Sequence, residues 1–314
     1  MQRNEPNNNR IMPPFPKRTL MSATATKPQS RLTGLVSLTA AALALAAFAL
    51  PVLGSQDPKK PQEALPAESA ATEEQQQNLP AAAEVLKKYV EATGGAEAYQ
   101  ALKTQHATGT FSMPAQGMEG TFELFQEQPD KFLALVTLPG MGEIQTGLNG
   151  ATGWRTDPMQ GPRLLDGEEL KSLKRDADMQ AALKPEEHYE KMEVKSVEEV
   201  NGEKAYHLVF TPKGSTNPID SWYSVESGLQ LKTASTQDTP MGQVKFENLL
   251  QDYRPIGEDG KLKQPHKIVT SGGGAEYVVT LQKVETNVTL PADRFSLPAE
   301  VKQLQERKEQ SAQD

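Results

Sequence analysis

Apolar and polar positions along this chain follow three successive patterns. Residues 34–53 read GLVSLTAAALALAAFALPVL, an uncharged apolar run. Farther on, Val85, Leu86, Tyr89 and Val90 recur at helical spacing within 81–93 and predict an amphipathic helix, stopped by Gly94-Gly95. A second short helix is predicted over 96–103, with Tyr99 and Leu102 inward. After Thr104 the period drops to two. Strands are predicted at 105–112, 118–127, 131–138, 143–148 and 152–156, parted by turn pairs. Asp166 then caps a predicted helix over 166–179, which stops before Pro185. Strands resume at 192–200, 204–212, 220–225, 230–236, 243–253, 266–271 and 276–286, with Asn201-Gly202 and Ser227-Gly228 as hairpin signals. Sequential strands with short turns mean an antiparallel meander with helices inserted at its start and middle. Residues 301–314 form a charged tail in the pattern of a frayed helix.

Two kinds of strand occur. Residues 243–247 alternate cleanly and have one wet face. In 131–138, Phe132, Ala134 and Val136 share one face while Leu133 and Leu135 share the other. Leu208-Val209-Phe210 and Tyr277-Val278-Val279 are likewise apolar on both sides. Strands covered on both faces need a second apolar layer, which the helices at 81–103 and 166–179 can supply. A sheet wrapped around those helices encloses either a solid core or an apolar pocket, and the pattern leaves both open.

Charge changes the picture at the N-terminus. Residues 1–33 hold Arg3, Arg10, Lys17, Arg18, Lys27 and Arg31 against Glu5, which leaves 27 bases and 40 acids, −13, for residues 34–314. A basic segment before the apolar run keeps that side inside. Val52 and Gly54 stand at the −3 and −1 positions of a cleavage after Gly54, so 1–54 reads as a signal peptide. The alternative is a retained signal anchor with 34–53 in the membrane, since the run approaches the roughly 20 residues of a spanning helix. Translation from Met21 rather than Met1 gives an n-region of ordinary length. In each case the body is exported to the periplasm or cell envelope, and membrane contact comes through the N-terminal segment where it stays uncleaved. Residues 55–79 are rich in Pro, Glu, Gln and Ala and predict a disordered linker. The acidic body argues against nucleic acid, whose binding rests on Lys and Arg neutralising phosphates. The chain has no cysteine, which excludes disulfides, thiolate catalysis and a lipid-modified N-terminal cysteine.

Catalytic constellations are missing from the sequence. His106, His188, His207 and His266 lie at no metal-ligand spacing. His188, beside Glu186, Glu187 and Glu190, reads as part of a solvated acidic turn, and His207 as a hydrogen-bonded structural residue within a strand. No nucleophile elbow or P-loop occurs, and Gly272-Gly273-Gly274 reads as a hairpin tip. Asn287-Val288-Thr289 matches a glycosylation sequon. A non-enzymatic role without cofactor or metal is expected.

Several blocks carry a resemblance. They are YVEATGGAEAYQALKT at 89–104, GTFSMPAQGMEGTFELFQEQPDKF at 109–132, LPGMGEIQTGLNGATGWRTDPMQGPRLLDGEEL at 138–170, VNGEKAYHLVFTPKG at 200–214, SWYSVESGLQLKTAS at 221–235 and FSLP at 295–298. Together they resemble an uncharacterised exported branch of the LolA/LolB/LppX-like, outer-membrane lipoprotein-sorting superfamily. The resemblance implies an α+β domain over 80–300: a curved antiparallel half-barrel of about eleven strands enclosing a few helices that act as a lid. It implies a concave apolar face that holds a lipid or acyl chain. The carriers' lid-locking arginine has no matched position, and Arg155 is only a nearby candidate. The large apolar residues on the strands, Phe111, Phe122, Leu124, Phe132, Leu135, Trp154, Phe210 and Trp222, are the candidate cavity wall. The function so read is binding of a lipid or acyl chain in the envelope, in lipoprotein or lipid transport. The alternative is a regulatory or scaffold module that binds another envelope protein.

Overall fold

The computed structural model describes residues 79–239 and 242–311. The export segment expected at 1–54, and the linker expected at 55–79 apart from Leu79, lie outside the described residues.

Helix α1 is Ala82–Ala92, and it buries the four residues read from its period: Val85, Leu86, Tyr89 and Val90. It stops at Gly94, whose φ of +130° suits glycine, and where an added Cβ would meet the Lys261 carbonyl oxygen at 2.5 Å. Helix α2 is Ala96–Ala101, followed by buried Leu102.

The strands are β1 Thr104–Met113, β2 Met118–Glu127, β3 Lys131–Leu138, β4 Gly142–Asn149, β5 Thr152–Asp157, β6 Gly161–Leu164, β7 Tyr189–Val200, β8 Glu203–Pro212, β9 Ile219–Ser224, β10 Gln230–Thr239, β11 Gly242–Ile256, β12 Leu262–Gly272 and β13 Ala275–Thr286. Helix α3, Gly167–Ala177, and the single turn α4, Pro185–His188, lie between β6 and β7. Helix α5, Ala299–Ser311, follows the sheet. Asp166 occupies the N-cap of α3 as read, although its side chain makes no capping bond.

All the strands join one antiparallel sheet, ordered β6-β5-β4-β3-β2-β1-β13-β12-β11-β10-β9-β8-β7. It has 13 strands, which corrects the expected eleven. Strand β6 escaped the reading because it is four residues long and contains Pro162. Proline is tolerated there because β6 is an edge.

The sheet is open, since β6 and β7 end its order and do not pair. It is nevertheless strongly curved. The Arg163 guanidinium on β6 makes two 2.6 Å bonds to Glu169 of α3. Two residues along α3, Lys171 Nζ donates to the Gly214 carbonyl oxygen, just past β8, at 2.6 Å. A flat sheet would hold β6 and β8 about 53 Å apart, whereas an 11-residue helix is about 16 Å long. The sheet must therefore curl round for Glu169 and Lys171 of α3 to reach β6 and the end of β8.

Its inner face carries α1, α2 and α3. One apolar cluster there joins Phe111, Phe122, Leu124, Phe132, Val136 and Tyr277 to Leu173 and Ala177 of α3. A second joins Leu208, Phe210 and Tyr223 to Leu86, Tyr89 and Tyr99 of α1 and α2. The outer face is covered over β2–β5 by the C-terminal segment, where Phe295 and Val301 pack on Phe125, Leu133 and Trp154. Strand β3 thus has the two apolar faces its sequence announced, with Leu133 and Leu135 on the side covered by this segment. Trp154 lies across Gly147, where a Cβ would meet the indole at 2.1 Å, so glycine is required on β4 by close packing.

The sheet forks near its middle. The β12–β13 ladder ends at Lys267–Thr280, while β12 continues with β11 to Ile256–Leu262 and β13 continues with β1 to Gln105–Thr286. Two features coincide at the fork. Pro265 on β12 has no N–H to donate, and by extension of the register it stands opposite Gln282. Gln282 is the extra residue of a β1–β13 bulge, between the pairs Thr108–Lys283 and Gly109–Leu281.

Candidate functional site

Helix α3 closes the inner face with little apolar contact. Its sequence GEELKSLKRDA buries only Leu173 and Ala177, with Leu170 partly buried beside them. Leu170 rests on Gly153, where even a Cβ would meet it at 2.7 Å. The other attachments are polar. Besides the Arg163 and Lys171 contacts, Asp178 just past the helix lies 3.0 Å from His188 Nε2 and accepts a 3.3 Å bond from Gln128 Nε2. His188 is thus tied into the end of α3, which corrects its reading as part of a solvated turn. Burial alone would raise the Asp178 pKa, but the hydrogen bonds from His188, the Gln180 N–H and Gln128 outweigh it and hold the group below its ordinary value.

Asp176 behaves in the opposite sense. Burial pushes its pKa from 3.8 up to about 6, against the opposing pull of Arg175, Ser172 and His188. A carboxylate with a raised folded-state pKa binds more protons folded than unfolded between those two values. Stability therefore falls as pH rises from about 4 to 6, and it stays lower above that. Asp176→Asn is expected to raise the melting temperature at pH 7.5, by at most about 2–3 kcal/mol of stability. It should also flatten the pH 4–6 slope. Thermal melts of both proteins across that range provide the check.

Arg155 is buried on the inner face, opposite Thr146 of β4 and near Tyr277 and Glu169. Burial, followed by the neighbouring charge of Arg163, pushes its pKa down.

A belt of buried polar groups runs among the tyrosines of the second inner cluster. Thr93 Oγ1 and Tyr99 OH share a 2.8 Å hydrogen bond. Gln230 Nε2 donates to Tyr223 OH at 3.1 Å, and Tyr253 OH donates to the Gln230 carbonyl oxygen at 2.8 Å. Burial raises the pKa of Tyr89, Tyr99, Tyr223 and Tyr253, so the belt is made of neutral phenols and amides. Within it, at the fork of the sheet, lies a cavity of about 30 Å³ beneath Tyr89 and Tyr99. Gln105 of β1 and Gln264 of β12 line this cavity, 2% and 6% exposed.

The eight residues read as a cavity wall separate by face. Phe111, Phe122, Leu124 and Phe132 meet in the first inner cluster. Phe210 joins the second inner cluster. Leu135 and Trp154 face the opposite way, under the C-terminal segment. Trp222 is also on the outer face, with Ala205 and Ala234. It stacks on His207 at 4.5 Å, carries Lys232 Nζ 4.7 Å above its ring, and donates from Nε1 to Glu198 at 2.7 Å. His207 itself lies 2.7 Å from Asp220, the bonded strand role its position implied. The sequence reading missed Gln105 and Gln264. Each is a polar residue in phase with inward apolar neighbours, Ala107 and Ile268 respectively, and that break in period was the available signal.

Edge strand β7 carries Glu190, Lys191, Glu193, Lys195 and Glu199 and two register shifts, features that discourage pairing with another chain. Among the described residues no helix is long and apolar enough to cross a membrane, and no cluster of His, Asp and Glu could hold a metal ion.

No family model matches the sequence, and no curated protein matches it. Solved structures that align with it include a DUF1329 family protein from Desulfovibrio piger, at 12% identity and a TM-score of 0.48, covering 71% of this chain and 100% of that one. A putative outer membrane lipoprotein-sorting protein domain from Vibrio parahaemolyticus aligns at 15% identity and a TM-score of 0.47, covering 68% and 97%. A LolA superfamily protein from Nitrosomonas europaea aligns at 14% identity and a TM-score of 0.47, covering 70% and 99%. These likenesses lie at 12–15% identity and TM-scores of 0.47–0.48, so the site stands on its own geometry.

Proposed function

We propose that the domain beginning near residue 80 binds a lipid or acyl chain between α3 and the inner face of its sheet, in the cell envelope and without covalent chemistry. The observation that carries this reading is the mismatch between α3 and what it covers. The largest apolar cluster of the inner face, with Phe111, Phe122, Leu124 and Phe132, is closed on this side by a helix that buries two apolar residues. Burying Leu173, Ala177 and part of Leu170 is worth about 4–6 kcal/mol. An acyl chain that buries eight methylenes is worth about 6 kcal/mol. The apolar terms are near balance, and the Arg163 and Lys171 contacts of α3 are solvent-exposed and contribute little, so a chain can take the place of α3. The proposed wall is Phe111, Phe122, Leu124 and Phe132, with Phe210 at its far end. Leu135, Trp154 and Trp222, on the outer face, are not part of it.

Native mass spectrometry of protein purified from its own envelope tests this. The expected result is an adduct with the mass of a lipid or acylated molecule, released by organic solvent. A protein that carries only an envelope protein partner would favour the scaffold role instead. N-terminal sequencing of the same material is expected to begin after Gly54, whereas a start before Gly34 would mean a retained anchor.

A further inference from the structure

The cavity at the fork lies within the second inner cluster, whose Tyr89, Tyr99, Leu102, Met179, Ile256 and Leu262 line it. Its wall holds two buried amides that lack partners, as do Gln126 Oε1, Thr146 Oγ1 and Gln230 Oε1 elsewhere in the interior. Gln105 Nε2 and Gln264 Nε2 are both buried, and neither has a hydrogen-bond partner among the described residues. A buried, unpartnered amide costs about 1–3 kcal/mol, and such groups are rare in native interiors unless something is bound there. Both amides arise from one local device. The fork forms because Pro265 and the β1–β13 bulge end the β12–β13 ladder, and Gln264 and Gln105 stand on the two branches beyond it. Had the ladder continued, no gap would separate those branches.

We infer that this cavity is a subsite for a neutral hydrogen-bond acceptor, the ester or amide carbonyl of an acylated ligand, held by the side-chain N–H groups of Gln105 and Gln264. Three features select that chemistry. The two inner groups are donors, so they call for an acceptor. They are uncharged amides, and the one charged lining residue, Lys263, is exposed, so a carboxylate would enter without an inner counter-ion. About 30 Å³ accommodates a carbonyl group but not a headgroup. Leu102, Met179, Ile256 and Leu262 also line the cavity, so the hydrocarbon beside the carbonyl meets apolar wall. The inference rests on the proposed binding of an acyl ligand and adds the group that positions it.

The test uses two ligands that differ in this one group, 1-dodecanoylglycerol with its ester carbonyl and 1-O-dodecylglycerol with an ether in its place. Titration calorimetry of the purified protein is expected to show the ester binding about 5–10-fold more tightly, the value of one or two buried hydrogen bonds. In Gln105→Met and Gln264→Met, which keep the volume and remove the donors, the ratio should fall toward one. Side-chain ¹⁵N–¹H₂ resonances of the two glutamines should shift with the ester and not with the ether, a measurement that needs no substitution. Equal affinity for both ligands in the unaltered protein overturns the subsite and leaves the acyl-binding reading intact. A ratio that persists in both variants also overturns it, by placing carbonyl recognition elsewhere. Failure of both ligands to bind overturns the acyl-binding reading, and the subsite with it.

Discussion

Phe132→Ala is expected to cost about 3–5 kcal/mol of stability, whereas Leu135→Ala, three residues along the same strand, should cost less than half of that. Phe132 is 0% exposed and sits in the inner cluster with Phe111, Phe122 and Leu148, so its removal leaves a void that the curved sheet cannot close. Leu135 is only partly buried, at the margin of the outer cluster. Urea denaturation of both variants measures the difference. The comparison is a direct test of register, because a one-residue slip of β3 exchanges the two faces. Equal costs, or a larger one for Leu135→Ala, would mean that the inner face has been assigned to the wrong side. Phe132→Ala should also bind short acyl chains more tightly than the unaltered protein, since it adds room where the chain is proposed to lie.

Much of this fold was legible in the sequence because its strands are parted by strong turn chemistry. The hairpin at Asn201-Gly202 has positive φ at both residues, 51° and 85°. The tip at Gly273-Gly274 follows the same rule, with φ of 60° and 80°. Helix α1 was legible because its apolar positions satisfy one period without exception. What failed to show was decided by tertiary contact. Strand β6 has no pattern of its own and exists because β5 offers it a ladder. The outward direction of Trp154 could not be read from 152–156, where Trp154 and Arg155 are both buried. It follows from the pairing of Trp154 with Gly147, a residue on another strand whose missing side chain makes the space.

The candidate site was legible to a lesser degree, for a related reason. Size and hydrophobicity picked out Phe111, Phe122, Leu124 and Phe132, which converge, but the same criteria picked out Trp222, which belongs to a polar ladder with His207, Glu198 and Lys232 on the other face. Residues chosen for bulk identify cores in general, and a two-layered sheet has a core on each side. Gln105 and Gln264 are small departures from pattern, and they acquire meaning only when the fork brings two branches of the sheet around one cavity.

Fastening α3 to the sheet is expected to abolish acyl-chain binding, and releasing it to restore binding in the same sample. The chain contains no cysteine, so a pair can be introduced without competing thiols. Gly153 of β5 and Leu170 of α3 are in contact, with a Cβ built on Gly153 lying 2.7 Å from Leu170 Cδ1. The double variant Gly153→Cys with Leu170→Cys removes the leucine that would otherwise clash, leaving room for a bridge whose Cβ atoms stand about 3.8 Å apart. Closing a loop of this length should stabilise the oxidised protein by about 3 kcal/mol, and mass spectrometry would report the loss of two hydrogens. Oxidised protein is expected to bind a fluorescent fatty acid at least 10-fold more weakly than the same protein after reduction, because a chain can reach Phe122 and Phe132 on this side only by displacing α3. The unaltered protein, lacking thiols, should bind equally under both conditions. Equal affinity of the oxidised and reduced double variant would show that the ligand enters without moving α3, and the covered inner cluster would then be core rather than binding site.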